Sequence, residues 1–263
     1  MAQLGGLGQW HHSLRVSQLV PEEQEVATIE ARTVVADALA TMARGGFDQL
    51  PVTSARTVVG VFSYRSFAQS VGIVRRQDNP LAYPVDDFLE DPVFVRPASE
   101  VEEALEALDE KGVVLVGDED RLLAVVTPTD LNTYLWNSSK QFMFLREVEL
   151  ATRYLVGRAC TNEDELRSLI LFARSPADDG TRVERLEDLT FGELIGIING
   201  PDRFGRIFSR TFGRSRELVY SLLEPVREVR NKVFHFRDVV TPEEFDLVMN
   251  ARAWLQRRVR MAQ

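Results

Sequence analysis

The order strand, helix, strand, strand, helix occurs twice between about Val16 and Trp136, and this internal repeat fixes the fold class before any single residue is considered. In the first copy, from about Val16 to Val71, a short strand leads to a helix with Val34, Ala38, Leu39 and Met42 inward. Gly45 and Gly46 stop that helix, strands Gln49–Val52 and Val58–Phe62 follow, and a second helix closes the unit. In the second copy, from about Val85 to Trp136, Val101, Ala104, Leu105 and Leu108 face inward and Gly112 is the stop. Strands Val113–Val116 and Leu122–Val126 come next. The stretch Gln77–Pro84, with two prolines, reads as a linker, so the repeats are placed at residues 14–76 and 84–136. Residues 1–13 are glycine-rich and read as a flexible start; their adjacent His11 and His12 carry no metal assignment.

Each repeat ends on a strand that runs into a helix through a short polar turn. In repeat two the turn is Thr127-Pro128-Thr129-Asp130; in repeat one it is Ser63-Tyr64-Arg65-Ser66. Two functions suit the second turn. Asp130 is a strong hydrogen-bond acceptor, and Thr127 with nearby backbone N–H groups at a helix start can donate to a ligand. The same residues are also a good helix N-cap with no ligand at all.

The repeated order, its spacing and these turns resemble a tandem of CBS domains, the Bateman module, over nearly the whole of residues 14–136. That family's ribose and phosphate motif is Gly-hydrophobic-x-Thr/Ser-x-x-Asp. It stands at Thr127 and Asp130 in repeat two, whereas in repeat one Ser66 replaces the aspartate; Thr127, Asp130 and Ser63 are the nucleotide-binding residues it implies. The resemblance implies one competent adenosine-nucleotide site, with AMP, ADP or ATP as regulatory ligand and no required cofactor or metal.

The rest of the chain has a different character. Of the 263 residues, 44% are hydrophobic, enough for two cores. Residues 1–139 carry 10 Lys+Arg against 21 Asp+Glu, a net of −11, and residues 140–263 carry 21 against 19, a net of +2. Any RNA contact therefore falls to the C-terminal half. Residues 141–263 read as a helical domain, with Asn137–Lys140 as a second boundary before it and Ser175–Arg185 as a loop within it. Cys160 is the only cysteine, which leaves no disulfide framework or thiolate metal cluster. With no signal-like start and no apolar run long enough to span a bilayer, a soluble, cytoplasmic protein without membrane attachment is expected.

Two features of this half carry chemistry. The stretch Asp202–Arg216 places Phe204, Ile207, Phe208 and Phe212 on one stripe and Arg203, Arg206, Arg210 and Arg214 on another. It is either a core-facing helix with a solvated arginine face or a phosphate-contacting rim. Further on, Pro225 reads as the first turn of a new helix, with Val226, Val229, Val233 and Phe236 as its buried stripe. Arg227, Asn231 and His235 stack four apart on a second face, Arg230 is adjacent, and Phe234 stands among them as an aromatic that asks for a partner surface. A histidine can donate or accept a proton in catalysis, and a guanidinium can hold a developing negative charge.

Arg230-Asn231-x-x-x-His235 resembles the R-x(4 to 6)-H motif of the HEPN superfamily. Active members are metal-independent ribonucleases in which two protomers line one cleft. The resemblance implies Arg230, Asn231 and His235 as catalytic residues, a homodimer with Phe234 at its interface, and RNA as candidate partner; the arginine stripe of Arg203, Arg206, Arg210 and Arg214, with Arg227, is where RNA contact is expected. The fold class expected for the whole is an α+β N-terminal tandem CBS pair followed by an all-α HEPN-like helical bundle. The rival reading is a nucleotide-responsive interaction protein whose helical domain dimerises and binds RNA or a partner without cutting.

Overall fold

The computed structural model describes residues 14–21, 24–75, 78–173 and 185–263. The flexible start expected at residues 1–13, with His11 and His12, and most of the loop expected at Ser175–Arg185 lie outside the described residues. The chain divides into two compact units, residues 1–136 and 137–263.

In the first unit each repeat builds one three-stranded sheet. Repeat one contributes β1 (Ile29–Glu30), α1 (Val35–Gly45), β2 (Gln49–Ser54), β3 (Thr57–Ser63) and α2 (Tyr64–Ser70). Strand β1 pairs parallel with β2 across the α1 crossover, and β2 pairs antiparallel with β3. Repeat two has the same topology, with β4 (Phe94–Val95), α3 (Glu102–Lys111), β5 (Val114–Gly117), β6 (Leu122–Val126) and α4 (Pro128–Ala159). Helices α1 and α3 both end on a left-handed glycine, Gly46 at φ 66° and Gly112 at φ 76°, where a side chain would strain the backbone. Val35, Ala38 and Met42 fill one core and Val101, Ala104 and Leu108 the other. Leu105, expected inward, is 42% exposed, because the 101, 104, 108 stripe already occupies the face turned to the sheet.

Chain order and packing diverge at the start of each repeat. Val16 and Leu19 are buried in the core of repeat two, whereas Val85 and Phe88 are buried in that of repeat one. Backbone bonds hold these exchanges: Val16 N–H donates to the Ser99 carbonyl at 3.0 Å, and Val85 N–H to the Thr33 carbonyl at 2.9 Å. The stretch expected as a linker is likewise bonded, with Asn79 capping a 3₁₀ turn at Pro80–Ala82 and Val35 N–H donating to the Tyr83 carbonyl. Val58, Val61, Val113 and Leu115 form a further apolar cluster joining the two sheets.

The second unit is helical: the C-terminal part of α4, then α5 (Glu163–Ala173), α6 (Phe191–Ile198), α7 (Pro201–Arg203), a π turn (Phe204–Phe208), α8 (Ser209–Phe212), α9 (Arg216–Phe234) and α10 (Pro242–Ala262). Phe204, Ile207, Phe208 and Phe212 are all buried, as their stripe requires, although the segment is broken into short turns rather than one helix. Thr241 and Glu244 form a capping box at the start of α10.

Three further local expectations do not hold. Helix α4 continues through Asn137–Lys140 without a boundary; the polar residues there cost helix propensity but none is Gly or Pro, and Lys140 bonds the Asn137 side chain at 3.0 Å. Pro225 lies inside α9 instead of opening a helix. Burial of Val219, Leu223, Val226, Val229 and Val233 along one stripe offsets the lost backbone bond. Finally, α9 stops at Phe234, so Phe236 is not core: it is 84% exposed with φ 50°.

Phe236 N–H donates to the Val233 carbonyl and Arg237 N–H to the Lys232 carbonyl, the pattern that closes a helix through one left-handed residue, a position glycine normally fills. Replacing Phe236 by glycine relieves strain of about 1–2 kcal/mol and adds about 0.4–1 kcal/mol of unfolded-state entropy cost. Phe236→Gly is therefore expected to raise stability by about 0.5–1 kcal/mol, seen as a higher urea midpoint. A lower midpoint would show that the exposed ring contributes packing.

Candidate functional site

Within the first unit a cleft of about 570 Å³ opens between the repeats, a size that suits a small ligand. Repeat one lines it with the turn after α1 and the start of β2, from Gly46 to Pro51; repeat two lines it with Gly112, Val125 and the Thr127–Asp130 turn. The segment Gln24–Ala27 forms another wall. Gln24 fixes that wall, since its side-chain amide donates to the Val125 carbonyl at 2.9 Å and accepts from the Val125 N–H at 2.8 Å. Gln49 ties the repeats together by donating to the Gly112 carbonyl at 3.2 Å.

Thr127 and Asp130 thus sit together in the cleft wall. Asp130 Oδ2 accepts from the Thr127 N–H at 2.8 Å and from its hydroxyl at 2.7 Å. The N–H bond is the carboxylate half of a capping box at the start of α4, the Asp130 N–H going to the Thr127 carbonyl, and both bonds use the same carboxylate oxygen.

Ser63 does not line this cleft. It is buried, accepts from Ser66 N–H at 2.8 Å and donates to Glu90 Oε1 at 2.8 Å. Arg65 pairs with the same Glu90 and donates to the Glu110 carbonyl. The repeat-one turn is thus closed by a carboxylate of the chain itself.

In the second unit Arg230, Asn231 and His235 lie at the end of α9. Arg230 is partly buried, with its Nε 3.8 Å from Glu149 Oε2 and its guanidinium 4.8 Å from the Phe234 ring. That Nε is buried without a hydrogen-bond partner. Glu149 is bonded at 2.6 Å by Arg153, so two arginines share one carboxylate. His235 is exposed at the helix C-cap, and its backbone N–H donates to the Asn231 carbonyl at 3.2 Å. Phe234 meets Phe142 edge-on at 5.6 Å, so the surface its sequence context asks for is supplied in part within the chain.

The remaining arginines differ in availability. Arg227 is held by Glu224 at 2.9 Å and Glu228 at 2.6 Å, and Arg203 stacks on Phe172 at 3.8 Å and bonds the Ile197 carbonyl. Arg206, Arg210 and Arg214 are exposed. Burial, with Glu165 adding to it, pushes the Cys160 thiol up to about 11, so it stays neutral near physiological pH and is a poor nucleophile. Among the described residues no group of three His, Cys, Asp or Glu could hold a metal ion, and no helix is long and apolar enough to cross a membrane.

Sequence reasoning missed Gln24, Glu25 and Asp48 in the cleft. None belongs to a motif, and each reaches the wall only through the pairing of the two repeats.

The CBS domain family model matches residues 16–78 and again residues 85–137. An uncharacterized protein of Methanocaldococcus jannaschii, MJ1225, is 25% identical over 249 residues, covering 86% of this chain and 83% of the relative. The solved structure of that protein is similar over 47% of this chain and 50% of its own, with 21% identity and a TM-score of 0.42. The structure of CBSX2 in complex with AMP is similar over 47% of this chain and 97% of its own, at 20% identity and a TM-score of 0.40. A conserved CBS domain protein of Thermoplasma acidophilum, TA0289, is similar over 46% of this chain and 68% of its own, at 26% identity and a TM-score of 0.40. Residues 16–137 of this chain carry a tandem pair of CBS domains.

Proposed function

We propose that the CBS pair senses an adenosine ligand in the inter-repeat cleft and regulates a HEPN-type, metal-independent endoribonuclease in the helical unit, acting as a homodimer. The observation that carries the sensing half is the cleft itself, which brings Thr127 and Asp130 of one repeat against the Gly46–Pro51 wall of the other. Asp130 keeps Oδ1 for a ribose hydroxyl, since its two described bonds use Oδ2. Asp130→Ala is expected to weaken the adenosine ligand about 10- to 150-fold, the worth of a charge-assisted hydrogen bond of about 1.5–3 kcal/mol. Calorimetry measures the affinity and urea unfolding the stability. A lower midpoint with unchanged affinity would leave Asp130 as a helix cap only.

The nuclease half rests on the Arg230-Asn231-x-x-x-His235 motif, with His235 exposed and the buried Nε of Arg230 without a hydrogen-bond partner. The Nε lies against Glu149, so an RNA phosphate would be met through the 26% of the Arg230 side chain that stays exposed. The second reading, a helical unit that binds without cutting, is favoured by the Arg230–Glu149 contact, which already offsets the arginine's charge. RNA incubated with the protein in EDTA separates the two, because only the nuclease releases fragments.

A further inference from the structure

Resting on the reading of the cleft as an adenosine site, we propose that it selects a ligand without phosphate: an adenine nucleoside whose 5′ substituent is neutral or positively charged. The charge of the walls is the first ground. Glu25, Asp48 and Asp130 line the cleft, and among the described residues that line it there is no Lys, Arg or His. A phosphate there would meet like charge on several sides and find no guanidinium or ammonium to offset it.

Hydrogen-bond donors are the second ground. The N–H and the hydroxyl of Thr127, the groups best placed at the helix start to meet a phosphate, are both donated to Asp130 Oδ2. Pro128 has no N–H, and the Asp130 N–H goes to the Thr127 carbonyl at 3.1 Å, which leaves Thr129 as the one amide of the first three helical residues. The positive end of a helix is equivalent to about half a charge, too little to outweigh three carboxylates. Nor do these carboxylates converge on an ion that could reverse the sign, since among the described residues no three acidic or imidazole groups are arranged to hold one. Ribose is served by the same site, because a carboxylate oxygen is a strong acceptor for its hydroxyls.

The test is calorimetric titration of the full chain with adenosine, S-adenosylmethionine, AMP and ATP, at low and at high NaCl. Adenosine and S-adenosylmethionine are expected to bind about tenfold or more tightly than AMP and ATP at low salt. Added salt should strengthen AMP binding, because it screens repulsion, where a basic phosphate site would lose affinity. The double variant Glu25→Gln, Asp48→Asn should shift the AMP-to-adenosine affinity ratio about tenfold toward AMP. AMP or ATP binding as tightly as adenosine, or weakening as salt is added, would overturn the inference and leave the adenosine site standing. Failure of all four ligands to bind would overturn both.

Discussion

His235→Ala is expected to lower metal-free RNA cleavage about 10²- to 10⁴-fold, the usual contribution of a positioned proton donor or acceptor. Arg230→Ala should lose a comparable amount, because the negative charge of the phosphorane is then left without its guanidinium. Arg230→Lys keeps the charge but not the planar fork, so only partial recovery is expected. The structure adds a control. Glu149 holds Arg230 at 3.8 Å and Arg153 at 2.6 Å, so Glu149→Gln releases Arg230 from its carboxylate and should not abolish cleavage. Initial rates on a labelled RNA, with circular dichroism to confirm folding, check all four variants. Wild-type rates in both alanine variants would remove the catalytic assignment and leave the binding reading.

The largest expected loss of stability lies in the aromatic core of the helical unit. Phe208 is fully buried in the π turn and meets Phe212 edge-on at 6.0 Å. Phe208→Ala removes a buried ring and leaves a cavity that a unit built on short turns fills poorly, at a cost of about 3–5 kcal/mol. Leu171, 67% exposed on α5, is the comparison: Leu171→Ala should stay within about 0.5 kcal/mol. Urea midpoints measure both. A cost below about 1 kcal/mol for Phe208→Ala would mean that the turn is not packed as described.

The fold is legible in the sequence where local signals and burial agree. The repeat with its glycine stops predicts both sheets, because alternation and helical spacing report which face is buried. Thr127 and Asp130 are legible as a pair because they stand three residues apart at a strand-to-helix turn. Other features depend on partners far along the chain. Nothing near Val16 says that it packs with Val101, and nothing near Gln24 says that it clamps Val125. Pro225 and the Asn137–Lys140 stretch look like breaks because composition reports propensity, a weak signal: a continuous buried stripe outweighs it at Pro225, and no Gly or Pro stands at residues 137–140 to end α4. The left-handed Phe236 is unreadable for the same kind of reason: the ending of α9 is set by its backbone bonds, and the residue found there is not the one that conformation prefers. Arg230's engagement with Glu149, which bears on its catalytic role, joins residues 81 positions apart and leaves no local trace.

The proposed coupling between the two units is tested most directly by cleavage of a labelled RNA in EDTA by the full chain, with and without saturating adenosine ligand. The account predicts fragments ending in a 2′,3′-cyclic phosphate and a 5′-OH, no cutting of DNA or of RNA methylated at the 2′ position, and a rate that changes when the ligand is added. No cleavage, products carrying a 5′-phosphate, or a rate indifferent to a ligand that calorimetry shows to be bound would contradict it.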